Sequence, residues 1–458
     1  MEIILGKQIV IPQCPHNIRN KVIKHLTLDN PKYYENLNLG RWNKDTPKKL
    51  TFYEERGCEL IIPRGFMRHL INICKEENTS FEIVDKRRTL KKTAYSFIGE
   101  LKDYQKDAVK AMLTKDFGTL DAPTGSGKTV MALYLIAKRE QPALIVVPTK
   151  ELAFQWIQRI ETFLGIKEES VGLVGCGKDI LGKKITVAMV QSLYKRVDKV
   201  SPNIGYVIVD ECHRAPSRTF SEALSGFDSK YMTGLSATPY RRDKLSKLIF
   251  FTLGNIIHSI DPKYLREKGN ILSVEPVIRT TNFTTLLNPS KDYSKVLKEL
   301  VNDNERNQMI AKDIAFESDT YKGICLVLSD RKAHCENLGA ILKYKYKKDA
   351  TVLTGDTDTQ TRKNILNDLS NGKIEILIAT GQLVGEGFDC KELSTLFLTT
   401  PVKFSGRLLQ YLGRVLRPSQ NKENEEDNVK DKARVYDYVD EQVGPLKSSA
   451  SARQLHYL

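Results

Sequence analysis

A chain of 458 residues and 52.0 kDa is too long for one ordinary core and fits two or three domains. Its 41% hydrophobic and 28% charged content is that of a globular protein, and no apolar run approaches the ~18 residues of a membrane span, which excludes disordered and membrane-spanning classes. The net charge of +15 suits a polyanionic partner or, equally, a merely basic surface; the excess is uneven, residues 1–95 holding 18 Lys and Arg against 11 Asp and Glu.

The eight cysteines lie scattered with no C-x-x-C pair, so the pattern predicts reduced thiols, no zinc site and no disulfide framework. Met1-Glu2-Ile3-Ile4 has neither the basic start nor the apolar stretch of a secretory leader.

In chain order, residues 1–95 mix short apolar runs such as Glu59–Ile62 with the turn signal Pro63-Arg64-Gly65 and helical spacing over Phe66–Lys75, a small α+β domain. Its aromatics Tyr33, Tyr34, Trp42 and Tyr53 suit either a nucleic-acid wedge or a domain core. Asp85–Lys92 reads as a solvated linker. Over 96–258, β-rich runs (Thr119–Ala122, Ala143–Val147, Ile185–Val190, Tyr206–Val209, Tyr231–Leu235) alternate with helical stretches such as Val130–Arg139 and Glu151–Phe163, which predicts a parallel sheet covered by helices. After a connector over 259–295 the rhythm returns over 296–445, with strands expected at Ile324–Leu328, Thr351–Leu353, Ile374–Ala379, Leu396–Thr399 and Arg434–Tyr438. The almost wholly polar Asn421–Lys432 reads as a loop, and 446–458 as a tail.

Ala122-Pro-Thr-Gly-Ser-Gly-Lys-Thr129 fits the phosphate-loop pattern, with Ala122 in place of the first Gly, between a predicted strand and a predicted helix. There Gly125 and Gly127 let backbone N–H groups close on phosphates, Lys128 brings a charge to the β/γ oxygens, and the Thr129 hydroxyl can ligate Mg²⁺; Pro123, Thr124 and Ser126 complete the cradle. Asp210-Glu211 ends the apolar run Tyr206–Val209, where a carboxylate points into the ligand crevice of a parallel sheet. Asp210 suits a Mg²⁺ ligand and Glu211 a group that polarises the attacking water.

The motif order resembles that of superfamily 2 helicases of the DExH type. Asp210-Glu-Cys-His213 is similar to motif II, Leu101–Gln105 to the adenine-contacting Q motif, and Pro148-Thr-Lys-Glu-Leu152 to motif Ia. Ser236-Ala-Thr238 matches motif III, Thr380 through Gly385-Glu-Gly-Phe-Asp389 resembles motif V, and Gln410-Tyr-Leu-Gly-Arg-Val-Leu-Arg417 matches motif VI. The resemblance, spanning roughly 95–440, implies two tandem RecA-like domains that use ATP and Mg²⁺. It also implies Gln105, Gly387 and Asp389 as nucleotide contacts. Gln410, Arg414 and Arg417 would serve catalysis, with Arg417 the first choice and Arg414 the second for an arginine finger worth ~10³–10⁵ in rate. His213, Ser236 and Thr238 would couple the nucleotide site to nucleic acid, and Thr149, Thr354 and Thr380 would line the nucleic-acid track. Thr354-Gly-Asp-Thr-Asp-Thr can equally be a turn, as the Ser236–Thr238 hydroxyls can be turn chemistry.

DECH rather than DEAD, the Gln410-Tyr-Leu start of motif VI, and Gly234-Leu-Ser-Ala-Thr-Pro-Tyr-Arg-Arg-Asp243 are similar to XPB- and RadD-like DNA helicases and compact phage enzymes. The middle Glu of an R-E-D element is missing at Arg241-Arg242-Asp243, and Ile61–Phe66 loosely resembles a stretch of phage and mobile-element helicases. The resemblance implies a 3′–5′ motor on single-stranded, forked or branched DNA, cytoplasmic in a bacterial or phage-infected cell, with partners from replication, repair or defence. A duplex translocase serving a separate nuclease and an RNA helicase are the alternatives.

Overall fold

The computed structural model describes the chain apart from residues 39, 215–216, 238–245, 271, 290, 322, 382–392, 402–431, 455–456 and 458, and apart from the side chains of 214, 217–219, 359, 370 and 432. Thr238, Arg241–Asp243, the Gly385–Asp389 stretch with Gly387 and Asp389, the loop from Asn421, and Gln410, Arg414 and Arg417 therefore lie outside the described residues. The chain divides into two compact units, Met1–Pro123 with Gly127–Ile260, and Asp261–Leu458 with the short stretch Thr124–Ser126.

The first unit begins with strands β1 (Glu2–Leu5), β2 (Gln8–Ile11), β3 (Thr27–Asp29), β4 (Lys49–Thr51), β5 (Glu54–Arg56), β6 (Glu59–Pro63) and β7 (Glu82–Asp85). Five form a sheet in the order β5-β6-β2-β1-β7, while β3 and β4 pair separately. Helices α1 (His16–His25) and α3 (Met67–Glu76), separated by α2 (Pro31–Asn38), bury Ile18, Val22, Leu70 and Ile73 in one cluster with Ile3, Ile9 and Leu60.

That core does not stop at the N-terminal domain. It takes in Leu248 and Phe251 from the helix Lys247–Leu253 of the following α/β domain. Gly65 sits so close to that helix that a Cβ there would fall 2.1 Å from the Phe250 carbonyl oxygen. Beside it the buried Arg64 guanidinium donates to the Ser229 carbonyl at 2.7 Å and lies 5.7 Å from the Phe117 ring centre, with burial pushing its pKa down to about 10. Pro63-Arg64-Gly65-Phe66 is thus a docking element, a turn whose small residue and cation fit a neighbouring domain.

Eight strands form the α/β sheet of this unit: β8 (Phe117–Asp121), β9 (Ala143–Val147), β10 (Gly172–Gly175), β11 (Lys178–Ile180), β12 (Ile185–Met189), β13 (Tyr206–Val209), β14 (Tyr231–Ser236) and β15 (Ile256–Ser259). Their order is β11-β10-β12-β9-β13-β14-β8-β15, parallel except at the β10–β11 hairpin. Helices α4 (Asp103–Leu113), α5 (Lys128–Arg139) and α6 (Lys150–Leu164) are among those that cover it. Continuous apolar runs such as Ala143–Val147, buried at every residue, are what a strand covered on both faces requires.

The stretch expected to be a solvated linker is instead a strap. Arg87 is bonded by Asp85 at 2.8 Å and Asp116 at 2.7 Å, leaving its side chain 6% exposed. Arg88 grips Asp228 and the Ser201 and Pro202 carbonyls, Leu90 exchanges two hydrogen bonds with the Gln141 carboxamide, and the Tyr95 hydroxyl meets the Gln141 and Lys184 carbonyls. These partners stand just before β8, β14, β13, β9 and β12, so the strap crosses the sheet's N-terminal edge in the order of its strands. The two arginine charges that suggested solvation are spent mostly on carboxylates and carbonyls distant in sequence, while Lys86, Lys91 and Lys92 stay exposed.

In the second unit β16 (Ser273–Thr280), β17 (Ile324–Ser329), β18 (Thr351–Leu353), β19 (Ile376–Thr380), β20 (Leu393–Leu398) and β21 (Lys432–Val439) form a parallel sheet ordered β16-β21-β20-β17-β19-β18. The strand β16 lies within the stretch read as a connector. The stretch read as a tail carries most of the helix Gly444–Gln454, whose Arg453 and the following Tyr457 clasp the fully buried Asp437 of β21 at 2.6 and 2.8 Å.

Candidate nucleotide-hydrolysis site

The phosphate loop leaves β8 at Asp121 and enters α5 at Lys128. Gly125 and Gly127 have φ of +88° and +82°, a region that glycine enters without steric cost, and Gly127 caps α5. A Cβ at Gly127 would meet the Gln105 side-chain nitrogen at 2.4 Å. Gln105 therefore packs directly on the loop, while its Oε1 accepts the Lys102 N–H at 2.9 Å where α4 opens. The loop's first amide, Ala122 N–H, donates to the Ser236 carbonyl at 2.9 Å, tying it to the end of β14. Lys128 Nζ donates to the Ala122 and Pro123 carbonyls at 2.9 and 3.4 Å, so the ammonium lies over the loop's mouth. Thr129 follows it in the first turn of α5, and Thr124 Oγ1 is buried without a hydrogen-bond partner.

Asp210 and Glu211 follow β13, two strands from β8. Asp210 is 8% exposed, and its Oδ2 accepts the Trp156 indole N–H at 2.8 Å while Oδ1 accepts the Glu211 amide at 2.9 Å. Burial, with the Glu211 charge second, pushes its carboxyl up to about 6. Glu211 has φ +46°, a left-handed conformation that costs a side-chain-bearing residue ~1–2 kcal/mol. Strain of this kind collects where a side chain must be aimed. Its Oε2 lies 3.3 Å from His213 Nδ1, and the same nitrogen is 2.9 Å from Ser236 Oγ. One buried line of contacts thus runs from the acid pair through His213 to the end of β14, which also holds the phosphate loop.

These residues suit a nucleoside triphosphate and its divalent cation. A left-handed glycine pair, a lysine over the loop and an unpartnered buried hydroxyl make a phosphate cradle. An acid pushed up by burial and a neighbouring negative charge gains from a cation placed beside it. Among the described residues no cluster of three or more His, Cys, Asp or Glu is fit to hold a metal without a ligand's help.

Other sequence candidates have local partners of their own. Thr149 is the N-cap of α6, accepting the Leu152 amide at 3.4 Å. Thr354 is buried in a turn, its amide bonded to Thr357 Oγ1 at 3.1 Å and its hydroxyl to the Asp356 amide at 3.4 Å. Thr380 ends β19, opposite Ser329 at the end of β17. Trp156 was missed in the sequence because no motif includes it; the available signal was a tryptophan on the core face of the helix after motif Ia, whose buried N–H needs an acceptor.

Two parallel-sheet domains, one with a phosphate cradle and an acidic strand end, define a nucleotide-driven motor. Residues 98–241 match the family described as type III restriction enzyme, res subunit, and 305–419 match the helicase conserved C-terminal domain, together more than half of the chain. The DNA 3′-5′ translocase XPB2 of Sulfurisphaera tokodaii is 28% identical over 69% of this chain and 79% of its own length. The ATP-dependent DNA helicase uvsW of Enterobacteria phage T4 is 28% identical over 77% of this chain and 71% of its own. A fragment of an HsdR subunit of a type I restriction enzyme from Vibrio vulnificus shares the fold, with a TM-score of 0.56 at 18% identity over 79% of this chain and 66% of that one. The chain belongs to the superfamily 2 helicases of the XPB and UvsW type and is an ATP-dependent helicase.

Proposed function

We propose that this helicase is a DNA motor moving 3′ to 5′ on single-stranded, forked or branched DNA, and that it works in the cytoplasm of a bacterial or phage-infected cell with proteins of replication, repair or defence. The observation that carries it is the buried line Glu211–His213–Ser236, which ties the acid pair to the end of β14, in a chain whose relatives are named for DNA translocation and unwinding. Among the described residues no helix is long and apolar enough to cross a membrane.

Lys128 and the amides of Gly125–Thr129 bind the triphosphate, with Pro123 and Thr124 shaping the loop and Gln105 packed against it. Thr129 and Asp210 would hold Mg²⁺, which when bound would neutralise phosphate charge. Glu211 orients the attacking water. Arg417, or else Arg414, supplies the positive charge that offsets charge developing on the γ-phosphoryl oxygens, and by their motif positions Gln410 serves catalysis and Gly387 and Asp389 serve nucleotide binding. His213, Ser236 and Thr238 pass the change to the nucleic-acid track, which Thr149, Thr354 and Thr380 line through phosphate contacts that read no sequence.

A duplex translocase of a defence system is the second reading, supported by the restriction-enzyme family matched over 98–241. The test is ATPase stimulation by single strands, duplex, forks, four-way junctions and RNA, followed by unwinding of tailed duplexes. Stimulation by forks with 3′-tail unwinding is expected. Stimulation by blunt duplex without unwinding favours the translocase, and stimulation by RNA alone overturns both.

A further inference from the structure

Residues 27–51 rise from the N-terminal domain as one unit: β3, α2, a loop and β4, with β3 and β4 paired at the base. The base is seated in the domain core, where Leu28 and Leu50 pack against the cluster that holds Leu26, and the Phe52 amide donates to the Leu26 carbonyl at 3.0 Å. Above that base no described apolar side chain is buried; the buried residues are Asn30 and Asn36. Hydrogen bonds from asparagines hold the cap instead. Asn36 Nδ2 donates to Asn43 Oδ1 at 3.0 Å, Asn43 Nδ2 to the Tyr33 carbonyl at 3.0 Å, and Asn30 Nδ2 to the Pro47 carbonyl at 2.8 Å. The Arg41 amide closes on the Asn36 carbonyl at 2.8 Å.

Trp42 stands between two of these anchors, Arg41 and Asn43, and is 84% exposed. A fixed loop therefore turns its largest apolar side chain to water, the reverse of what folding rewards. Tyr34 and Leu37, three residues apart on α2, are exposed as well. Around them Lys32, Arg41, Lys44, Lys48 and Lys49 are exposed against Asp29, Glu35 and Asp45, and Asp29 lies 3.9 Å from Lys49. A held aromatic among surplus cations has the chemistry of single-strand recognition: cations follow phosphates, and an indole face stacks on a base of any identity.

We infer that Trp42 is a stacking pin that takes an unpaired base where single- and double-stranded DNA meet. This rests on the proposed DNA-helicase function and adds the residue and the feature of the substrate it engages. Phosphates of the adjoining strand lie along Lys32, Arg41, Lys44, Lys48 and Lys49, and the Asn36–Asn43 bonds set the direction in which the indole points.

The chain has two tryptophans, and Trp156 is buried, so acrylamide quenching of the full-length protein reports chiefly on Trp42. Adding a forked DNA should quench Trp42 emission and protect the remainder from acrylamide, while a blunt duplex should not. Trp42→Phe, which leaves Trp156, gives the background. Trp42→Ala should lower fork unwinding roughly tenfold, with Trp42→Phe between it and wild type. Trp42→Ala unwinding forks at the wild-type rate, or Trp42 staying fully quenchable in the fork complex, overturns the inference. A wild-type protein that unwinds no fork sinks the DNA-helicase reading and the pin with it.

Discussion

The two parallel sheets bury charge in different ways. In the first, Asp210 sits at a strand's C-terminal end with an indole and one amide as partners, and its carboxyl is pushed up to about 6 because burial and Glu211 oppose its charge. In the second, buried acids have cations on them. Asp437 is held by Arg453 and Tyr457, Asp440 by Arg306 at 2.9 Å, and Glu317 by Arg434 at 2.6 Å. A buried charge with its partner in place is structure; one whose environment still opposes it awaits a ligand.

Substitutions should separate the two. Lys128→Ala should lower ATP turnover by about 10³-fold or more, as loss of a charge aimed at transferring phosphoryl oxygens does, with no change in the thermal unfolding midpoint; phosphate release and a thermal scan read both. Turnover near wild type would remove Lys128 from the site. Asp437→Asn should do the reverse, costing about 3–5 kcal/mol by leaving Arg453 buried without its counter-charge. Urea unfolding of the full chain measures it, and a loss under ~1 kcal/mol would place the pair among surface bridges.

Much of this was legible where the physics is local. The runs Ala143–Val147, Tyr206–Val209 and Thr351–Leu353 are the observed strands β9, β13 and β18 to the residue; for β9 and β13 this is because strands covered on both faces must be continuously apolar. The strand β16 was not legible. It is an edge strand with Glu275, Pro276 and Arg279, and its alternating exposure leaves no apolar run; Pro276 is tolerated because an edge strand has one unpaired side. The short β10 is bounded by Gly172 and Gly175 and carries a similarly weak signal. Motif spacing gave the acid pair and the loop, but not Trp156, whose bond to Asp210 joins two helix–strand units. The strap from Asp85 to Tyr95 hid for the same reason: its arginines looked solvated because Asp116 and Asp228 are remote in sequence.

The second sheet also carries a pH signature. His334 is buried between Ser329 Oγ at 3.0 Å and Asn307 Oδ1 at 2.8 Å, and burial, then the Arg306 charge, lowers its pKa to about 3. An unfolded imidazole titrates near ~6.5, so the neutral form that the fold requires is available above that value. Stability is lost as pH falls from there toward about 3, by ~1.4 kcal/mol per unit. At pH 4.5 the loss should approach ~2–3 kcal/mol, and His334→Gln should flatten the slope of unfolding free energy against pH. An unchanged slope would assign the acid sensitivity to other groups.

The smallest expected effect bears most on how the first sheet works. Ser236 Oγ meets His213 Nδ1, while the Ser236 carbonyl takes the amide that opens the phosphate loop. Ser236→Ala removes the first contact and keeps the second, because the second is made by the backbone. ATP hydrolysis should therefore stay within a few-fold of wild type while unwinding per ATP falls about tenfold, ~1.4 kcal/mol of coupling. Parallel measurement of phosphate release and strand separation gives the ratio. If both fall together, the hydroxyl serves hydrolysis itself; if neither falls, coupling runs through the carbonyl that joins β14 to the loop.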